Sequence, residues 1–126
     1  MKKKNLKNRI LINKEVYSKE ITKNFLKDIT EKILSELGFN DVEISITITD
    51  DERIREINKK WRGKDKPTDV LSFPQDKTFG YKYRLLGDVI ISLPYAKKQA
   101  EEIGFTLKEE ILRLLIHGIL HLIGYD

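Results

Sequence analysis

The stretch that most constrains the fold is an apolar helix near the end of the chain. Thr106 and Glu109 form the Thr-x-x-Glu pattern of a capping box, which predicts that a helix begins here and runs to about Ile123. From Ile111 onward the helix is apolar on almost every side. A helix of this kind is buried in the folded protein, so we expect it to be the central element of the structure.

The elements before this helix alternate between strands and helices. Residues 42–48 alternate apolar and polar side chains, which is typical of a strand with one buried face. The other predicted elements are strands at Arg9–Ile12, Asp69–Phe73 and Asp88–Ser92, and helices from Ser18 to Gly38, from Asp50 or Asp51 to Gly63, and over Leu93–Ile103. In the second of these helices we expect Ile54, Ile57 and Trp61 to face inward.

The order of these elements predicts an α/β fold of the mixed α+β kind. A helix between two strands joins them in parallel, whereas the last two strands share a loop that is too short for a helix and favours an antiparallel pair. We therefore predict one domain over residues 1–126, with a small four-stranded mixed sheet of three parallel strands and one antiparallel strand. The helices pack on this sheet, and the buried C-terminal helix carries the histidines.

The composition limits the class of protein. The 126-residue chain has no cysteine, which excludes disulfides and thiolate metal sites and leaves imidazole and carboxylate as metal ligands. No apolar run approaches the ~20 residues of a membrane span, and the stretch after the basic N-terminus is too short and too quickly charged for a signal peptide. We therefore expect a cytoplasmic protein without a membrane partner.

Positive charge is clustered along the chain. Residues 2–9, 59–66 and 77–84 hold 13 of the 24 lysines and arginines but only one of the 20 acidic residues. The last two segments also contain four aromatic residues: Trp61, Phe79, Tyr81 and Tyr83. Clustered positive charge favours an anionic partner, and aromatic faces that can stack bases favour RNA. Solvated lysine-rich loops are the simpler alternative.

The only two histidines of the chain suggest a metal site. His117 and His121 are one helical turn apart, so their rings leave the same side of the helix, as zinc ligands do. With Gly124 they match the pattern H-E-x-x-H-x-x-G-x-x-H, whose third histidine would follow Asp126. Gly118 occupies the position of the glutamate base. The alternative is two core histidines, whose burial without partners would cost about 1–3 kcal/mol each.

Three segments carry a resemblance to a known family: Trp61–Pro74 (WRGKDKPTDVLSFP), Leu86–Ser92 (LGDVIIS) and His117–Asp126 (HGILHLIGYD). They resemble the YbeY family of bacterial rRNA maturation factors, which are described as metal-dependent endoribonucleases. The resemblance implies one zinc ion held by three histidines, two of which correspond to His117 and His121. It implies that the third lies just after Asp126, and that Arg62 is the arginine near the metal. Asp126 is a weaker candidate for an oxygen ligand.

The resemblance also implies a function. It is zinc-dependent endonucleolytic cleavage of single-stranded RNA, in maturation of the 16S rRNA 3′ end and in late biogenesis and quality control of the small ribosomal subunit. The expected partners are rRNA and ribosome-assembly proteins, and DNA is not expected. In this mechanism Arg62 is catalytic and stabilises the charge on the phosphate, a zinc-activated water attacks, and the general base is unidentified. The predicted substrate-binding residues are Lys60, Arg62, Lys64, Lys66, Tyr83 and Arg84.

Two alternatives stay open on the sequence. One is a non-catalytic RNA-binding factor of ribosome assembly in which the metal is structural. The other is a hydrolase that resembles metalloproteases, against which the missing glutamate counts. Near the predicted site, we expect Thr68 and Asp69 to shape the turn into a strand, and Asp88 to cap or brace a loop.

Overall fold

The fold is built on one four-stranded sheet. The computed structural model describes residues 8–75 and 83–125. The elements in chain order are β1 (Arg9–Lys14), α1 (Lys23–Glu36), β2 (Val42–Thr49), α2 (Asp51–Arg62), β3 (Val70–Pro74), β4 (Arg84–Ser92), α3 (Leu93–Ile103) and α4 (Leu107–Leu122). The strands lie in the order β1-β2-β4-β3, with β1, β2 and β4 parallel and β3 antiparallel to β4 at one edge. The predicted mixed sheet is confirmed.

The core lies between one face of the sheet and helices α1 and α4. The alternation in β2 puts Ile44, Ile46 and Ile48 wholly inside, where each contributes roughly 1.5–3 kcal/mol to stability. The prediction that α4 is buried on nearly every side is wrong for one side, because Leu112 and Ile116 are 38% and 39% exposed. These two residues line an open apolar groove against α1, so the neighbouring helix covers α4 only in part.

Local signals set the ends of α3 and α4. Helix α3 runs over the predicted residues, and its first turn is capped by Ser92, whose hydroxyl accepts from the amide of Tyr95. The predicted capping box of α4 is present, with Thr106 accepting from the amide of Glu109 at 3.1 Å and the Glu109 carboxylate accepting from the amide of Thr106 at 2.8 Å. The described helices include none that is long and apolar enough to cross a membrane.

Two predicted boundaries are wrong. Helix α1 begins at Lys23 rather than near Ser18, because the Thr22 hydroxyl caps it while the Ser18 hydroxyl closes a separate turn with the amide of Ile21. Strand β4 begins at Arg84, four residues before the predicted start. Its first residues pair with β2 across a bulge.

Helix α2 presents a different face to the core from the predicted one. Ile54 is fully buried as expected, but Trp61 is 65% exposed. Asn58 takes the second buried position of the helix and donates from its amide to the carbonyl oxygen of Lys66 at 2.9 Å. Because this hydrogen bond fixes the rotation of α2, the prediction that Trp61 faces inward is wrong.

Candidate metal and RNA site

Gly118 lets α4 lie directly on the sheet. A Cβ atom at this position would lie 2.8 Å from Cγ1 of Val89 and 3.1 Å from Oγ of Ser72. The Ser72 hydroxyl instead donates to the carbonyl oxygen of Gly118 at 3.1 Å. This contact brings the histidine-bearing turns of α4 against strand β3, and it leaves no space for the glutamate of the protease pattern.

Arg62 reaches the same strand from the other direction. Gly63 ends α2 in the left-handed conformation, with φ of 71°, so Arg62 is the last residue of the helix. Its guanidinium donates to the carbonyl oxygen of Ser72 at 2.9 Å and lies 5.6 Å from the ring centroid of Phe73. Arg62 therefore satisfies a carbonyl of the edge strand and is held against it by these two contacts.

The structure brings the three principal predicted residues together. Arg62, His117 and His121 line one cavity of about 120 Å³, whose other walls are residues of β3. His117 is exposed and His121 is half-buried, so the alternative of two core histidines does not hold. The contacts of Gly118 and Arg62 with Ser72 account for this arrangement.

The residues of the cavity fit a zinc site in part. Imidazole nitrogen is a preferred zinc ligand, and the two histidines open onto the same cavity. Within residues 8–75 and 83–125, no group of three His, Cys, Asp or Glu side chains could hold a metal ion. Asp126 and the predicted position of the third histidine lie outside the described residues. The donor set present therefore supplies two ligands of the expected three.

The predicted lysines lie around the end of α2. Lys60 is in the last turn of the helix, with Nζ 5.2 Å from the ring centroid of Trp61. Lys64 and Lys66 are exposed in the loop that follows Arg62. Because the side chain of Asn58 holds the Lys66 carbonyl, this loop stays close to the helix end and keeps its positive charge near Arg62.

Tyr83 and Arg84 lie in a different place. They stand at the beginning of β4, where the amide of Arg84 donates to the carbonyl of Asp41 at 2.9 Å. The Arg84 guanidinium is 5.8 Å from the ring centroid of Phe39. Neither residue lines the cavity of the histidines. Phe79 and Tyr81, predicted to stack on RNA, lie outside the described residues.

Asp69 shapes the turn into β3, as predicted, and also begins a partly buried network. Its carboxylate accepts from the amide of Val70 at 2.7 Å and from Gln99 at 3.3 Å. Gln99 also donates to Glu110 at 2.7 Å, and Glu110 accepts two bonds from Arg113 at 2.8 and 2.6 Å. Hydrogen bonding to Glu110 raises the pKa of Arg113. Only the pair of Glu110 and Arg113 is indicated by the sequence, through its i, i+3 spacing on a helix.

Asp88 is not at a loop, so the prediction that it caps or braces one is wrong. It lies inside β4, paired with Ser45 on one side and Phe73 on the other. Partial burial raises the pKa of the Asp88 carboxyl, while a hydrogen bond from the Ser45 hydroxyl lowers it. These neighbours come from two other strands, β2 and β3, and no local pattern in the sequence indicates them.

Comparison with known proteins identifies the family to which the chain is similar. The family model described as Endoribonuclease YbeY matches residues 8–126. A protein of Sulfurihydrogenibium sp. named Endoribonuclease YbeY is 86% identical over 126 residues, which cover 100% of this chain and 83% of that protein. A protein of the same name from Persephonella marina is 70% identical over 120 residues, which cover 94% of this chain and 78% of that protein.

A solved structure has the same fold. The solution structure of a Thermotoga maritima protein superposes with a TM-score of 0.62 at 31% identity, and covers 94% of this chain and 73% of that one. The molecule is thus a mixed α/β protein of the fold shared with that structure. The chain belongs to the YbeY family, the endoribonuclease family whose model spans nearly all of it.

Proposed function

We propose that the protein is a zinc-dependent endoribonuclease that cleaves single-stranded RNA. The observation that carries the proposal is the convergence of Arg62, His117 and His121 on one open cavity beside β3. The name of the relatives, Endoribonuclease YbeY, supports RNA as the substrate and hydrolysis of a phosphodiester bond as the reaction.

Arg62 is the residue that binds the scissile phosphate. A guanidinium has five N–H donors and keeps its charge at neutral pH, and Arg62 uses one donor on the carbonyl of Ser72. The other donors are directed by this bond and by the contact with Phe73. Because the side chain is already ordered, it stabilises the negative charge that develops on the phosphate without a large rearrangement.

His117 and His121 are the zinc ligands from α4. When bound, zinc supplies a Lewis acid that activates water and polarises the phosphate. Structural zinc sites are enclosed by protein, whereas catalytic sites keep one position open. The exposure of His117 favours the catalytic kind of site over the structural metal of a non-catalytic RNA-binding factor.

The basic loop after α2 binds the RNA backbone. Lys60, Lys64 and Lys66 are all exposed near Arg62, and exposed lysines attract phosphates by charge in a salt-dependent manner. Exposed Trp61 adds a surface on which a base can stack. A base in a duplex is already stacked, so such a surface favours single-stranded RNA.

The finer assignments rest on the family resemblance. They are a role in maturation of the 16S rRNA 3′ end, in late biogenesis of the small ribosomal subunit and in its quality control, in the cytoplasm. The partners would be rRNA and assembly proteins of that subunit. The positive charge around the end of α2 suits a substrate as highly charged as rRNA.

Replacement of His121 by alanine tests the proposal. We expect cleavage of single-stranded RNA to fall at least about 100-fold, since even residues that only orient a metal ligand contribute about 10–100-fold. RNA affinity should change little, because the phosphate contacts come from α2. Ile116→Ala is the control, because Ile116 is exposed on the same helix. This variant should cleave RNA like the wild type.

Each contrary outcome has a clear meaning. Unchanged cleavage by the His121→Ala variant would sink the zinc mechanism. Salt-dependent RNA binding by the wild type without metal-dependent cleavage would favour the non-catalytic binding factor, and removal of zinc would then lower the melting temperature instead of an activity.

A further inference from the structure

A second cavity lies on the face of the sheet that helix α2 covers. Its volume is about 380 Å³, which falls in the range of roughly 300–1,000 Å³ typical of small-molecule sites. Three elements line it: α2 through Arg53, Ile57 and Trp61, β3 through Phe73, and β4 through Asp88 and Ile90. The α2 residues are four apart and therefore share one side of the helix.

Both aromatic walls of this cavity are accessible. Trp61 is 65% exposed and Phe73 is half-buried, so the hydrophobic core does not require the whole of either ring. Each ring also has a cation nearby, Lys60 at 5.2 Å from Trp61 and Arg62 at 5.6 Å from Phe73. Flat apolar surfaces next to positive charge suit a flat, aromatic ligand that carries phosphate, as an unpaired nucleotide does.

Asp88 adds a polar group to the wall of this cavity. It is directly opposite Phe73 in the β3–β4 ladder, and residues opposite each other in a ladder have Cβ atoms about 4.5–5.5 Å apart. An ionised carboxylate accepts hydrogen bonds and cannot donate them. It therefore favours bases with an exocyclic amine, as in the known pairing of acidic side chains with the amine of cytosine, and it repels the two carbonyl groups of uracil.

Arg62 connects the two cavities. It lines the cavity of the histidines and at the same time lies against Phe73, a wall of the second cavity. A phosphate bound to Arg62 would therefore bring an adjacent base of the same strand to the edge of β3 beside Phe73. We infer that the cavity of Trp61, Phe73 and Asp88 binds an unpaired, amine-bearing base next to the scissile phosphate and so selects where the RNA is cut. This inference rests on the proposed function.

Trp61 reports directly on binding, because it is the only tryptophan of the chain. The experiment titrates short single-stranded oligomers of cytidine, adenosine and uridine into the His121→Ala variant, in which no cleavage is expected. We expect saturable quenching of the tryptophan emission by all three oligomers. Affinity should be on the order of 10-fold higher for the amine-bearing oligomers than for oligouridine.

The Asp88→Asn variant decides the proposal. The amide has nearly the shape of the carboxylate but can also donate, so it should accept uracil and reduce the difference between the oligomers to less than about twofold. Asp65→Asn is the matched control, since Asp65 is an exposed acid that binds Arg55 outside the cavity, and it should keep the full preference. Phe73→Ala should weaken all three oligomers on the order of 10-fold, with Tyr17→Ala, an exposed aromatic position, as its control.

The outcomes separate this proposal from the proposed function. Absence of quenching, or equal affinities that Asp88→Asn does not alter, would overturn the base site while His121-dependent cleavage could still stand. Quenching with the expected preference, in a protein whose cleavage does not depend on His121, would support the base site and contradict the zinc mechanism. The Phe73→Ala result is used only if the melting curve of that variant shows that it folds. The Asp88→Asn variant is sufficient to test the proposal by itself.

Discussion

The two halves of α4 use polar side chains in opposite ways. In the first half, Glu110 is fully buried and all its contacts are made within the protein, by Arg113 and Gln99. In the second half, His117 and His121 face an open cavity, and neither ring has a hydrogen bond among the residues that the structure describes. Buried polar groups need partners inside the protein, whereas groups left open are available to a ligand.

The arginines show the same contrast. Arg113 gives two donors to the carboxylate of Glu110 on the same helix, and that carboxylate also accepts from Gln99 of α3. Arg62 gives a single donor to the carbonyl of Ser72 and keeps the rest of its guanidinium exposed. We therefore expect substitutions around Glu110 and Arg113 to change the free energy of unfolding, and substitutions around Arg62, His117 and His121 to change RNA cleavage.

The largest effect is expected for Arg113→Met. The change leaves the buried carboxylate of Glu110 with Gln99 as its remaining partner. Because 47% of the Arg113 side chain is exposed, water replaces part of the lost interaction, so we expect a cost of about 3 kcal/mol, the lower end of the range for a buried ion pair. Unfolding in denaturant measures the free energy of unfolding. Lys98→Met, on the exposed side of α3, is the control and should change this free energy by no more than about 0.5 kcal/mol. The double variant Glu110→Leu/Arg113→Met should recover part of the loss. A cost no greater than that of the control would mean that the network does not hold α3 and α4 together.

The next largest effect is expected for Arg62→Ala, and it concerns catalysis. Removal of a donor that stabilises transition-state charge lowers kcat about 100- to 1,000-fold, so we expect a loss of this size in RNA cleavage. Stability should fall by no more than about 1.5 kcal/mol, the contribution of one hydrogen bond. Arg62→Lys should also be impaired, since lysine lacks the planar fork. Arg55→Ala, a cation on the same helix, should retain activity, and equal losses in the two variants would argue for a general charge effect.

Gly118→Ala tests a structural role inside the functional region. The added Cβ would press on Val89 and Ser72, and insertion of a methyl group into a packed contact costs about 1–3 kcal/mol. The higher helix propensity of alanine offsets up to about 1 kcal/mol of this. We expect lower stability in denaturant unfolding together with weaker zinc binding, because α4 must move away from β3. Glu102→Ala, exposed on α3, is the control. A Gly118→Ala protein that is more stable than the wild type would show that Val89 and Ser72 move to accept the added methyl group.

Local patterns were sufficient to predict most of the fold. Ser92, Pro94 and Gly104 define α3 to the residue, and the capping box of Thr106 and Glu109 defines the start of α4. Two serine or threonine caps in the same stretch made the start of α1 ambiguous. The beginning of β4 does not show in the pattern, because a bulge against β2 interrupts the alternation and Gly87, with φ of 134°, has no side chain to mark the strand.

The site was predictable only in part. The helical spacing of His117 and His121 indicates a metal, but no spacing relates them to Arg62, which reaches them through a bond across the edge of β3. The family resemblance alone joined these residues in the sequence. The exposure of Trp61 was missed because the buried amide of Asn58 sets the rotation of α2, and a polar residue in a core position does not appear in an apolar pattern.

The smallest effects are expected for Lys64→Gln and Lys66→Gln. Both lysines are exposed in the loop after Arg62, so the melting temperature should not change. Each lysine that contacts a phosphate contributes about 0.7 to the slope of log K against log salt for a single strand, and each substitution should reduce the slope by that amount. Fluorescence anisotropy over a series of salt concentrations measures it, with Lys97→Gln on α3 as the control. An equal change for Lys97→Gln would mean that RNA responds to net charge, and that the loop after α2 has no special role in binding.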